Sequence, residues 1–156
     1  LSLRITDNLG LDSNSVPLSY YARAELLRFQ HRYDESLAVL DSLDSAYPAH
    51  SLGDDILYER YRIAYARHRY ADAAVFLDKV LELYPLDILV DNALLDLGKL
   101  YEDRLNDPEK AKTYYERLLF EQTGSIFVPE ARDRFRKLRG DKLEAPPEPA
   151  APTIQP

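Results

Sequence analysis

The sequence contains no cysteine and no methionine. Without cysteine, disulfides and thiolate metal sites are excluded. The compartment stays open, although a cysteine-free chain is comfortable in an oxidising one. Without methionine, even at position 1, we expect a fragment, a processed product or a chain lacking its natural start. Positive charge is scarce: 20 Lys and Arg face 27 Asp and Glu, for a formal net charge of -7. That balance argues against a general role on DNA or RNA, where neutralising phosphates needs a basic surface. No apolar run approaches the ~20 residues of a membrane span. No basic start followed by an apolar block marks a signal peptide.

What is present points to a folded chain. With 156 residues, 46% of them apolar, it is long enough to bury a sizeable core in one domain. Its aromatic residues are twelve Tyr and five Phe, a share that serves packing, ligand contact or both.

The organising feature is a repeat. Residues 31–48 read HRYDESLAVLDSLDSAYP and residues 68–85 read HRYADAAVFLDKVLELYP, 37 residues later. His-Arg-Tyr opens both and Tyr-Pro closes both. Between them Leu40 matches Leu77, Leu43 matches Val80 and Asp41 matches Asp78. A fixed period of this size means that one supersecondary unit is being stacked.

Apolar positions at helical spacing predict seven segments. The first ten residues, with Gly10 as a stop, read as the tail of an earlier helix, and the loop DSNSVP follows over residues 12–17. Full helices are predicted over about residues 17–31, 34–47, 55–67, 71–84, 88–105, 108–122 and 125–139. Asp107-Pro108-Glu109 forms a cap, a proline at the first helical position and an acid in the first turn. In the last helix Phe127, Ala131, Phe135 and Leu138 fall on one stripe, with Arg132, Arg136, Lys137 and Arg139 opposite. A polar outer face of that kind is what a stacked array needs at its end. Residues 141–156 are Pro-rich with little to bury, and are expected to be disordered.

These positions resemble the tetratricopeptide repeat family over most of residues 17–122. Its pattern sets a large residue, Leu-Gly or Leu-Ala, then Tyr on the first helix, with Ala, a large apolar residue and Pro on the second. The third unit fits best, through Leu94, Leu97, Gly98, Tyr101, Ala111 and Tyr115, with Leu105 as one extra turn residue. The second fits through Tyr70, Ala73, Leu77, Val80 and Pro85, but Tyr61 replaces the small residue of its first helix, which puts the tight contact there in doubt. The first keeps Ala24, Leu27, Tyr33, Leu40 and Pro48, with Ser36 for the usual Ala. The resemblance implies an all-α fold: a right-handed superhelical α-solenoid of about three helix-turn-helix repeats (17–53, 54–87, 88–124). A capping helix (125–140) would follow and a helix tail with a loop (1–16) would precede. The period of 37 exceeds the ~34 of the standard repeat, and the surplus follows each Tyr-Pro. Such long corners look like those of bacterial cell-envelope repeat proteins, as does the ending GSIFVPEARDRFRKLRGD, so the periplasm or envelope is the expected setting.

The resemblance also implies the site. Family ligands usually lie in a concave groove lined by the first helix of each repeat. Here that face carries Tyr21, Glu25 and Arg28, then Tyr58, Arg62 and Tyr65, then Lys99 and Glu102. Tyr and Arg are favoured anchors at protein interfaces. The competing reading is a solvated face with ion pairs such as Arg62 with Glu59. A clamp for a peptide's terminal carboxylate is not expected, because its matching positions are Tyr21, Glu25, Glu59, Asn92 and Asp96, and three of these are acids. His31 and His68 sit in equivalent turns without metal-ligand spacing. The expected molecule is a non-catalytic scaffold for a protein or peptide partner, with no cofactor, no metal and no nucleic acid. The alternative is an assembly module that self-associates through an exposed N-terminal end.

Overall fold

The apolar stripes become the buried faces of helices in the computed structural model, which describes residues 2–141, with side chains from residue 15 onward. The described residues form α1 (Ser2–Phe29), α2 (Tyr33–Ala46), α3 (Gly53–Ala66), α4 (Tyr70–Leu83), α5 (Val90–Asp103), α6 (Pro108–Glu121) and α7 (Val128–Arg139), with no strand among them. Helices pack as consecutive pairs, α1 on α2, α3 on α4 and α5 on α6, with α7 closing the array against α6. This is an all-α repeat solenoid. The Pro-rich stretch after Asp141 lies outside the described residues.

One expected boundary fails. The break over residues 10–17 is absent, and α1 runs through it with Pro17 inside the helix. Asp12, Ser13, Asn14 and Ser15 are cap formers, but local propensity of that kind is a weak prior. Pro17 is buried. With Leu18, Ser51 and Leu52 it lines a cavity of about 180 Å3 at the corner between α2 and α3.

Small residues let the helices of each hairpin approach. Ala24, Ala73 and Ala111 are fully buried. Ser36, which replaces an expected Ala, is also fully buried and donates its hydroxyl to the Ala24 carbonyl at 2.7 Å. In the third hairpin a methyl on Gly98 would overlap the Tyr115 ring. The second hairpin solves the same space in reverse. Tyr61 occupies the Gly98 position, and Leu77 stands where the third hairpin has Tyr115. Tyr61 is half-buried against the core that contains Leu77, so bulk has moved from the second helix to the first.

The seam between the first two hairpins is different in kind. A small cluster of Ala24, Leu40, Leu43, Ile56 and Ile63 joins them, apart from the main core that runs from Tyr58 to Ala131. Leu97 is fully buried in α5, whereas its equivalent in α3, 37 residues earlier, is Arg60. Arg60 reaches out to Asp41 at 2.9 Å and Asp44 at 3.3 Å. A cavity of about 260 Å3 between α2, α3 and α4 remains beside it.

The turns inside the hairpins each hold one left-handed residue: His31 (φ 59°), His68 (φ 60°) and Asn106 (φ 52°). After His31 and His68 the chain closes with Arg32 N–H to the Leu27 carbonyl and Arg69 N–H to the Ala64 carbonyl, both 2.9 Å, an end that favours glycine. His31 Nδ1 lies 2.7 Å from the Tyr33 hydroxyl, and the His68 ring stacks on Tyr70. The repeated His-Arg-Tyr is thus a turn with an aromatic brace. Since a side chain at positive φ costs about 1 kcal/mol, His68→Gly should raise the thermal midpoint slightly. A clear fall would mean that the Tyr70 stack outweighs the backbone strain.

The corners between hairpins repeat a second device. Ser125 Oγ accepts from Phe127 N–H at 3.1 Å and donates to Asp91 at 2.7 Å. Its counterpart Asp87 accepts from Leu89 N–H at 3.0 Å and sets its carboxyl beside that of Asp54, the counterpart of Asp91. One corner therefore pairs a hydroxyl with a carboxylate and the other pairs two carboxyls. Burial, then the Asp87 carboxyl, push Asp54 above the usual carboxylate range. Burial and Asp87 likewise raise Asp55. A raised value in the folded state means that the fold retains a proton the unfolded chain gives up. Stability is therefore lost as pH climbs from the ordinary Asp range through the raised value. Asp87→Ser restores the hydroxyl–carboxylate pair. It should raise the unfolding midpoint at neutral pH and change it little in acid. A lower midpoint at neutral pH would contradict this account.

Candidate functional site

The first helices of the hairpins are in register at 37 residues, which aligns Tyr21 with Tyr58, Glu25 with Arg62 and Lys99, and Arg28 with Tyr65 and Glu102. One row of side chains thus passes from α1 through α3 and α5 to α7. Its centre is Glu59, which is fully buried. Glu59 accepts from Arg28 Nε at 2.7 Å and Nη2 at 3.2 Å on its two oxygens, and from Arg62 Nη1 at 2.9 Å. Two guanidinium groups supply the partners that an isolated buried carboxylate lacks. Because Arg28 belongs to α1, this pair also ties the first hairpin to the second.

The row continues toward α7. Arg62 lies over the Tyr58 ring, and the buried Tyr58 donates its hydroxyl to Asp96 at 3.1 Å. Burial pushes the Asp96 carboxyl up, while the Tyr58 hydroxyl and the Lys99 charge work against that. Lys99 pairs with Glu130 at 2.9 Å. Arg134 of α7 reaches Glu130 at 3.2 Å and Glu102 at 3.1 Å, and Glu102 also accepts the Tyr115 hydroxyl at 2.5 Å. Between α3, α5 and α7 these groups leave a cavity of about 300 Å3. It is lined by Tyr61, Tyr65, Asp96, Lys99, Leu100, Asp103 and Arg134.

The eight residues expected on this face fare differently. Tyr65 and Lys99 line the cavity. Tyr65 is half-buried, accepts a hydrogen bond from Arg104 at 3.1 Å and meets Tyr61 and Tyr70 edge-on or tilted. Glu102 stands just behind, held by Tyr115 and Arg134. Arg28 and Arg62 are half-buried and committed to Glu59, so the expected Arg62–Glu59 pair exists, but around a buried carboxylate. Tyr58 is buried and supports the row from behind. Tyr21 and Glu25 are half-buried on α1. Burial, then the charges of Glu59 and Glu25, raise the Tyr21 phenol well above its ordinary range.

Five cavity residues escaped the sequence reading as ligand contacts: Tyr61, Asp96, Leu100, Asp103 and Arg134. Arg134 had a usable signal. It falls three residues after Ala131 and four before Leu138, within the apolar stripe of α7, unlike the exposed Arg132, Arg136, Lys137 and Arg139.

The cavity lining mixes aromatic faces, one ammonium, one guanidinium and two carboxylates on helices. It can stack on and hydrogen-bond a polar chain. Residues 92–119, covering most of α5 and α6, match the family model of the tetratricopeptide repeat, TPR_6. None of the curated proteins matches the chain. The match falls on the hairpin that holds the close Gly98–Tyr115 contact, and together with the packing of the described helices as three consecutive pairs closed by α7 it supports a tetratricopeptide repeat architecture.

Proposed function

We propose that the chain is a non-catalytic scaffold whose α1, α3, α5 and α7 form the floor of a concave groove for an extended segment of a partner protein. Tetratricopeptide repeats generally mediate protein–protein interaction and are typically non-catalytic. The observation that carries the reading here is the cavity beside Tyr61, Tyr65 and Lys99, whose walls are fixed by ties between successive hairpins. Groups held before the partner arrives lose little freedom on binding, which leaves more of their contact energy as affinity. The net charge of -7 disfavours nucleic acid as the occupant. The long corners after Tyr84-Pro85 and its equivalents favour the bacterial cell envelope as the setting.

Tyr65→Ala combined with Lys99→Ala should weaken partner binding by roughly tenfold or more, with the helical signal and unfolding midpoint largely kept. Binding that survives the double change in a folded protein removes the groove reading.

A second reading rests on α1, where Leu26 and Phe29 are 56% and 69% exposed. It has the chain assemble end to end through that helix. Sedimentation separates the two: self-association abolished by Leu26→Lys and Phe29→Lys favours assembly, and a monomer at all concentrations removes it.

A further inference from the structure

The corners from α2 to α3, α4 to α5 and α6 to α7 share one end of the stack, because the helices alternate in direction. The Ser125–Asp91 bond ties the α6–α7 corner to the start of α5 beside the α4–α5 corner. On this edge large apolar side chains stand in water. Leu86 is 99% exposed, Ile88 87% and Ile126 84%, and Phe120 at the end of α6 is 76% exposed. Ile88 and Ile126 are repeat equivalents, so the same exposure recurs in adjacent corners. A single exposed aliphatic residue is ordinary, but a row on one edge marks an interaction surface.

The charge around the row selects the occupant. Glu82, Asp87 and Asp91 flank it, and among the described residues no lysine or arginine pairs with any of the three. Like charge sets this edge against a second copy of itself and against an anionic lipid surface. We propose that the corner edge of α4–α5 and α6–α7 docks a basic, aliphatic-rich segment of a partner protein, independently of the groove. Aliphatic side chains would cover Leu86, Ile88 and Ile126, and cations would meet Glu82, Asp87 and Asp91, whose charge no lysine or arginine among the described residues offsets.

The test titrates the full chain, with labelled isoleucine and leucine methyl groups, using a short synthetic peptide of alternating lysine and leucine. The methyls of Ile88, Ile126 and Leu86 should shift. Binding should weaken by roughly tenfold in the triple variant Leu86→Ser, Ile88→Ser, Ile126→Ser, and also in Glu82→Lys, which leaves every apolar group in place. A glutamate–leucine peptide should leave the edge unshifted. The proposal is overturned if both variants bind as well as the parent, if the glutamate peptide shifts the same methyls, or if only cavity methyls such as those of Leu100 respond. It is equally overturned if phosphatidylglycerol vesicles or a second copy of the chain occupy the edge in preference to the lysine peptide.

Discussion

Glu59→Ala should cost about 3 kcal/mol of folding stability, the low end of the range for breaking a buried ion pair. The carboxylate is fully buried and holds three guanidinium hydrogen bonds. Removing it strands Arg28 beside a helix interface and frees Arg62 to solvent. Arg28 and Arg62 keep 17% and 40% of their side-chain exposure, so water screens part of the loss, which sets the low end. The effect should also be local. The first hairpin meets the second through a small apolar cluster and polar ties, so α1 and α2 should exchange amide hydrogens faster than α5 and α6. Chemical denaturation gives the total and hydrogen exchange gives its location. A loss below about 1 kcal/mol, typical of an exposed pair, would show that Glu59 is not the clasp between these hairpins. Arg62→Ala, which leaves the bidentate Arg28 bond, should cost less.

Gly98→Ala should destabilise by about 1–3 kcal/mol, the usual range for overpacking, despite alanine's better helix propensity. The added methyl would overlap the Tyr115 ring, whose hydroxyl is anchored on Glu102, so the ring cannot retreat freely. Tyr115→Leu alone removes a fully buried ring and its hydrogen bond, and should also destabilise. The two changes together should be far less harmful than their sum. The first hairpin already uses that solution, with Ala24 on one helix and Leu40 on the other, both fully buried. A double-mutant cycle measures the coupling. Additive losses would mean that Gly98 and Tyr115 are not one packing unit.

Much of this architecture is readable from residue pattern. Tyr-Pro ends and the Asp107-Pro108 start lie within one or two residues of the helix boundaries, because proline and capping chemistry act locally. The Ala131–Leu138 stripe and Gly140, at φ 91°, mark the body and end of α7 for the same reason. What was not legible depends on other helices. Nothing local says that Glu59 is buried, since its tolerance depends on Arg28, 31 residues away. Tyr61 looked like a lost contact because its compensation, Leu77, lies on the next helix. Arg134 stands among exposed cations in the sequence, and only its place on the apolar stripe of α7 sets it apart. In α1 the cap formers after Gly10 outweighed, in local reading, a helix that continues through Pro17.

The most direct test of the groove is a photo-crosslinking scan in the cell of origin. Photoreactive residues would replace Tyr65 and Lys99 on the inner row, and Asp72 and Glu116 on the second helices. Partner adducts concentrated at positions 65 and 99 are the expected result. Adducts confined to positions 72 and 116, with the inner row silent, would contradict the account.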